Sequence, residues 1–256
     1  MTRRHFHQIR FEDGKLYPPL ALKHPDHHEQ RRIIRAVGQN LYRFASLWWL
    51  LDAAFREAKV NIRGPEIREL IIYLKDHPNP APELWLKGEV RAIMVDIGYD
   101  TSLLADIPLD NRLLGEMFIS WIEEALAKLT GYPQIPFDLI RSVLAAYRAA
   151  DYTYAYKIGE RTIPGTRLKG RLDGTMNCVE HVSTLTVSYR GKELFRRETY
   201  RTDELWLQTF KHFSRLSING STLQVQSPSV HAPDTLIDLS EYPEVMELLH
   251  KAPGSS

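Results

Sequence analysis

Paired carboxylates are the densest chemistry-bearing pattern in this chain. Asp96 and Asp100 stand four apart, as do Asp106 and Asp110, and Glu116, Glu123 and Glu124 follow. Between Asp96 and Glu124 seven acids face a single base, Arg112, a net charge of −6. Two carboxyls held in unlike environments can act as general acid and general base, and a cluster of oxygens can hold magnesium. No positioned lysine or catalytic base accompanies these acids in the sequence. The segment therefore reads first as a solvated loop, and next as an acidic surface that docks a basic partner.

The histidines are the next candidates. His24, Asp26, His27 and His28 include two imidazoles three apart and a carboxylate, which is metal-like in type. The group precedes a helix, lies beside Pro25 and lacks His-Glu-x-x-His spacing, so a solvated helix start capped by Asp26 is the expectation. His5 and His7 alternate on a short segment and add nothing decisive. Whether the His24–His28 group takes a metal stays open. Glu247 and His250 form a single Glu-x-x-His pair, where a di-iron bundle needs two such pairs and further carboxylates. Cys178 and His181 lie three apart, which strand alternation sends to opposite faces. No nucleophile elbow, phosphate loop or dinucleotide glycine pattern occurs. No catalytic residue, metal or cofactor is expected, and the chain is not read as an enzyme.

A basic counterpart lies downstream. From Arg161 to Arg201 nine bases face four acids, a net of +5, with Tyr154, Tyr156, Tyr189 and Phe195 interleaved. Cations that neutralise a backbone, with rings that stack on bases, would let a sheet hold single-stranded nucleic acid. Glu180, Glu193 and Glu198 in the same strands oppose that reading. Nucleic-acid binding by the sheet is the alternative function carried forward.

These groups must be positioned by elements, and the elements change rhythm at Asp151. Before it, apolar residues recur at helical spacing. A long helix is expected from Asp26 to about Lys59, a second over Ile67–Leu74, and a third from Glu83 to Ile97 ended by Gly98. A fourth starts at Asp110 with Leu113, Leu114, Phe118, Trp121 and Ile122 in its stripe, and a fifth covers Phe137–Ala149. After Asp151 the pattern alternates, from Tyr152, Tyr154 and Tyr156 onward. Strands are expected over Tyr152–Ile158, Thr166–Leu172, Val179–Tyr189 and Lys192–Tyr200, with tight turns at Arg190-Gly191 and Asn219-Gly220. Leu205–Phe213 is ambiguous, and Tyr242–Lys251 reads as a closing helix. Phe6–Phe11 could add a strand to the C-terminal sheet.

Helices followed by strands imply an α+β fold, an N-terminal helical layer packed on a C-terminal antiparallel sheet. One domain over 1–251 is expected, with a helical part about 26–150, a sheet part about 151–226, the closing helix 242–251, and a flexible tail over 252–256. At 256 residues, with 43% hydrophobic and 25% charged residues, the chain can bury a sizeable core. A net charge of +1 supplies no global field for nucleic acid. No apolar run approaches the roughly 20 residues of a membrane span, Met1–Gly14 lacks the apolar core of a secretory signal, and one cysteine excludes an internal disulfide. A cytoplasmic location is expected.

The stretch Asp96–Leu126, DIGYDTSLLADIPLDNRLLGEMFISWIEEAL, followed by a helix and a basic antiparallel sheet, resembles immunity proteins of bacterial polymorphic-toxin and contact-dependent competition systems. The resemblance rests on layout and on the Ile-Pro-Leu-Asp-Asn-Arg and Trp-Ile-Glu-Glu segments, and covers about half the chain. It implies a non-enzymatic inhibitor that binds one cognate toxin domain, such as a nuclease, and blocks its active site. On that reading Asp96, Tyr99, Asp100, Asp106, Asp110, Arg112 and Glu116 face the partner, with Tyr99 as an exposed aromatic anchor. Replacing Asp100, Asp106 and Asp110 by alanine is then expected to weaken binding and spare the melting temperature. Loss of fold would instead mark the acids as caps.

Overall fold

A short, mostly apolar run satisfies helical and strand spacing alike, and two such runs decide the architecture of the N-terminal part. In the computed structural model, which describes residues 8–13, 26–58, 69–75, 77–87, 90–133, 135–203, 215–227 and 232–250, both are strands. Glu69–Lys75 (ELIIYLK) is β2 and Val90–Gly98 (VRAIMVDIG) is β4, where helices were expected over Ile67–Leu74 and Glu83–Ile97. Each is rich in β-branched residues and too short for a stable helix, and parallel strands buried on both faces need apolar residues at successive positions. Between them Pro78, Pro80 and Pro82 turn the chain into β3 (Glu83–Lys87).

These strands form a four-stranded mixed sheet with Gln8–Asp13 (β1), in the order β1-β2-β4-β3. β1 runs parallel to β2, and β2 parallel to β4, while β3 is antiparallel to β4. The first strand thus joins this sheet and not the C-terminal one. A parallel neighbour requires a crossover, and the long N-terminal helix supplies it in two pieces. His27–Arg43 (α1) and Ala45–Ala58 (α2) break at Phe44, which is buried. Asp26 caps α1 as expected, its carboxylate accepting from His28 N at 2.8 Å.

After β4 come a 3₁₀ turn, Thr101–Asp106, and the helices Asn111–Lys128 (α3) and Phe137–Ala149 (α4). Leu70, Ile72 and Leu74 of β2 and Ile93, Val95 and Ile97 of β4 share one face, and pack in a single core with Leu47, Leu51, Phe55, Phe118, Ile122, Leu144 and Tyr147. Phe44 stacks on Phe118 at 4.7 Å between centroids, and Trp121 meets Phe44 edge-on at 5.2 Å. The region 26–150 is therefore helices on a sheet, not a helical layer alone.

The protein is α+β, and its chain divides into two compact units, Met1–Tyr154 with Asn177–Val179 and Ala155–Met176 with Glu180–Ser256. The division falls beside the change of rhythm at Asp151. The second unit holds the antiparallel sheet β5-β6-β7-β8 (Tyr154–Thr162, Lys169–Met176, His181–Tyr189, Lys192–Thr202), whose first residue belongs to the first unit. It also holds a three-stranded sheet of β9 (Leu216–Asn219), β10 (Thr222–Val225) and β11 (Thr235–Asp238), in the order β11-β10-β9, and α5, Pro243–His250. Arg190 and Gly191 both adopt positive φ in the β7–β8 turn, and Gly220 does so at the second hairpin, as these turns require. Leu172, Leu185, Val187, Leu223, Val225, Ile237 and Val245 form this unit's own core. Tyr152, expected to begin a strand, sits instead in a turn at φ 56 and is buried. The turn expected at Asn61–Pro65, the segment Leu205–Phe213 and the tail 252–256 lie outside the described residues.

Candidate functional site

The strands β2 and β4 end side by side, and two segments follow that carboxyl edge: residues 77–82 and residues 99–110. In parallel sheets this edge is where ligand-contacting loops gather. Tyr99 N donates to Lys75 O at 3.0 Å, which ties the second segment to the end of β2. Most of the acids singled out in the sequence lie on this edge.

Asp96 is not available to a partner. It is buried on β4, where its Oδ2 accepts from Lys75 Nζ at 2.7 Å and from Asn79 N at 2.9 Å. Its backbone carbonyl accepts from Lys128 Nζ at 2.7 Å. Asn79 Nδ2 in turn donates to Glu83 Oε1 at 2.6 Å. Lys75, Asn79, Glu83 and Asp96, with Tyr73, Ala81 and Met94, line a cavity of about 240 Å³ on the sheet face opposite the helices. That is below the roughly 300–1,000 Å³ of small-molecule pockets, and its polar groups are bonded to one another. The cluster braces the β2–β3 connection. Lys75, Asn79 and Glu83 were missed as a set because Glu83–Ile97 reads as a helix in the sequence, which places them on unrelated faces.

Tyr99, expected as an exposed anchor, is half-buried and packs edge-on against Trp121 at 5.0 Å. Burial, reinforced by the neighbouring Asp100 charge, raises its phenol pKa. Beyond it the chain turns outward. The 3₁₀ turn is pinned from beneath by Leu104, whose side chain is fully buried and whose carbonyl accepts from Asn40 Nδ2 on α1. Asp106 ends the turn with its side chain 78% exposed, 3.4 Å from Arg32. Asp110 is the N-cap of α3, its carboxylate accepting from Leu113 N at 2.7 Å.

Three leucines of this segment face solvent: Leu103 is 60% exposed, Leu109 51% and Leu113 42%. The spacing places Leu113 and Leu114 both in the buried stripe of their helix, and the structure buries Leu114 alone of the two. Half of the large, well-exposed hydrophobic side chains among the described residues thus fall within eleven positions. A sequence clue existed: Leu103 and Leu109 belong to no helical stripe and lie between aspartates.

Arg112 is exposed beside this ridge. Glu116 is held: it accepts from Arg148 Nε at 3.0 Å and from the Tyr152 hydroxyl. The Arg148 hydrogen bond, then the Tyr152 bond, keeps its carboxyl below the ordinary value. Arg148 also reaches Glu123 at 3.0 Å. Of the seven residues expected to face a partner, Asp100, Asp106, Asp110 and Arg112 therefore share the outward segment, while Asp96, Tyr99 and Glu116 serve the fold around it.

The remaining candidates separate. His24, His5 and His7 lie outside the described residues, and His27 and His28 are exposed at the start of α1. Among the described residues no group of three or more His, Cys, Asp or Glu is placed to hold a metal ion, and no helix is long and apolar enough to cross a membrane. Cys178 is buried 3.8 Å from the Tyr147 hydroxyl in the first unit. His181 lies in the second, buried, with Nε2 2.9 Å from the Tyr156 hydroxyl. Glu247 is exposed on α5. The bases of the sheet are largely bound by acids: Arg171 by Asp173, Arg196 by Glu193, Arg197 by Glu241, Lys192 by Glu244, and Arg201 by Glu198 and Glu180.

Comparison with protein-family models, with curated proteins and with solved structures finds no match for this chain.

Proposed function

We propose that this protein is a non-enzymatic binding protein of the immunity type, which docks a cognate toxin domain on the ridge from Leu103 to Leu113. The observation that carries the reading is the run of exposed leucines, Leu103, Leu109 and Leu113, alternating with the carboxylates of Asp106 and Asp110. Apolar anchors beside charges are what a specific protein interface needs. Burying the exposed half of each leucine contributes about 1 kcal/mol, and the acids steer a basic partner and reject an acidic one. The ridge is also preformed. Leu104, the Asn40 bond and the Asp110 cap hold it from beneath, so little ordering cost opposes binding.

Nucleic-acid binding by the sheet has less support, because most of its bases already have acidic partners. The test is a titration against the toxin domain that co-purifies with this chain from its native host. Leu103→Asp with Leu113→Asp is expected to weaken binding at least about a hundredfold, roughly 2.7 kcal/mol, with the melting temperature unchanged. Glu193→Ala, in the second unit, serves as the control. Undiminished affinity in the double variant removes the ridge from the interface; no binding by the wild-type protein removes the immunity reading.

A further inference from the structure

The outer face of α1 carries a second feature that the docking ridge does not use. His28, Arg31, Arg32, Arg35 and Gln39 recur at three- and four-residue spacing, and with the short Ala36 they line an open groove of about 330 Å³. The opposite face of the helix is fixed in the core through Val37 and Asn40. Arg32 is committed: Glu29 holds it at 2.7 Å and Asp106 at 3.4 Å. Arg31 and Arg35 are exposed, and among the described residues neither has a carboxylate partner. They stand one turn apart, where like charges repel. An anion between them relieves that repulsion.

We propose that this groove binds a compact phosphoryl anion, with the guanidinium forks of Arg31 and Arg35 as its principal donors and the Gln39 amide beside them. Two forks converging on one group match the several oxygens of a phosphate. Glu29 and Asp106, which border the groove at Arg32, set its limit. A long polyanion laid along the helix would run against both carboxylates, so the ligand is a mono- or diphosphate group and not a nucleic-acid chain.

The test is calorimetric titration of the full chain with inorganic pyrophosphate at about physiological salt. One equivalent is expected to bind. Arg31→Gln with Arg35→Gln should weaken it at least tenfold, and Glu29→Gln, which frees Arg32, should tighten it severalfold. Arg196→Ala, on the second unit's sheet, should change nothing. No binding by the wild-type protein, or equal binding by the double variant, overturns the site. A twelve-nucleotide single strand that binds more tightly than pyrophosphate through the same arginines overturns the compact-anion assignment. Should the double variant fail to fold, Glu29→Gln carries the test, and unchanged or weaker binding then counts against the proposal.

Discussion

Asp110 and Asp106 are four residues apart and alike in the sequence, yet they have different jobs. Asp110 accepts the Leu113 N–H as the cap of α3, whereas Asp106 is largely exposed and meets the Arg32 guanidinium at 3.4 Å. Asp110→Ala is expected to cost about 1 kcal/mol in urea unfolding, and Asp106→Ala close to nothing. Equal costs would contradict the cap assignment. The alanine triple at Asp100, Asp106 and Asp110 thus mixes a fold effect with a surface effect, which is why the leucine substitutions are the cleaner probe. A second residue-scale effect sits at His181. Burial lowers its pKa from 6.5 to about 4, so the fold holds the imidazole neutral. Because the unfolded chain takes up this proton first, stability falls as pH drops below about 6.5, and the loss is complete below about 4. The full difference is about 3 kcal/mol. Unfolding free energies measured between pH 7 and pH 4 should show this slope, and His181→Asn should lack it.

At the scale of elements, the helices and hairpins were legible and the N-terminal sheet was not. α3 and the Arg190-Gly191 and Asn219-Gly220 turns carry local signals, a cap or a residue at positive φ, that no distant contact overrides, and α4 buries Ile140, Val143, Leu144 and Tyr147 at three- and four-residue spacing. β2 and β4 carry none. Leu70, Ile71, Ile72 and Leu74 fit a helical stripe because nearly every position is apolar, and only the parallel partner strand decides between the two. The candidate ridge was half legible for the same reason. Its acids showed in the charge pattern, but the exposure of Leu103, Leu109 and Leu113 depends on which face of the 3₁₀ turn and of α3 meets the core. Packing between elements also gives a sharp prediction at Gly115. A Cβ there would collide with the Tyr152 ring, at Cδ1 and Cγ, and that ring is held by the Glu116 bond and by Tyr147 edge-on at 5.8 Å. Gly115→Ala is expected to destabilise by about 1–3 kcal/mol, although alanine favours helices. An unchanged or raised melting temperature would show that Tyr152 moves aside freely.

At the scale of the whole molecule, charge is sorted by unit and by use. In the second unit, Asp173, Glu193 and Glu198 on the same strands as their partners, Glu180 just before β7, and Glu241 and Glu244 near the start of α5 neutralise cations of the sheet. In the first, the carboxyl edge of β2 and β4 presents leucines and aspartates on a fixed mount. The central claim is that this edge, and not the basic sheet, meets the partner. Hydrogen exchange of the protein alone and saturated with the proposed toxin partner tests it most directly. Slowed exchange confined to residues 101–113 and the flanking turn of α1 is the predicted result. Slowed exchange across β5–β8, with residues 101–113 unchanged, would contradict it.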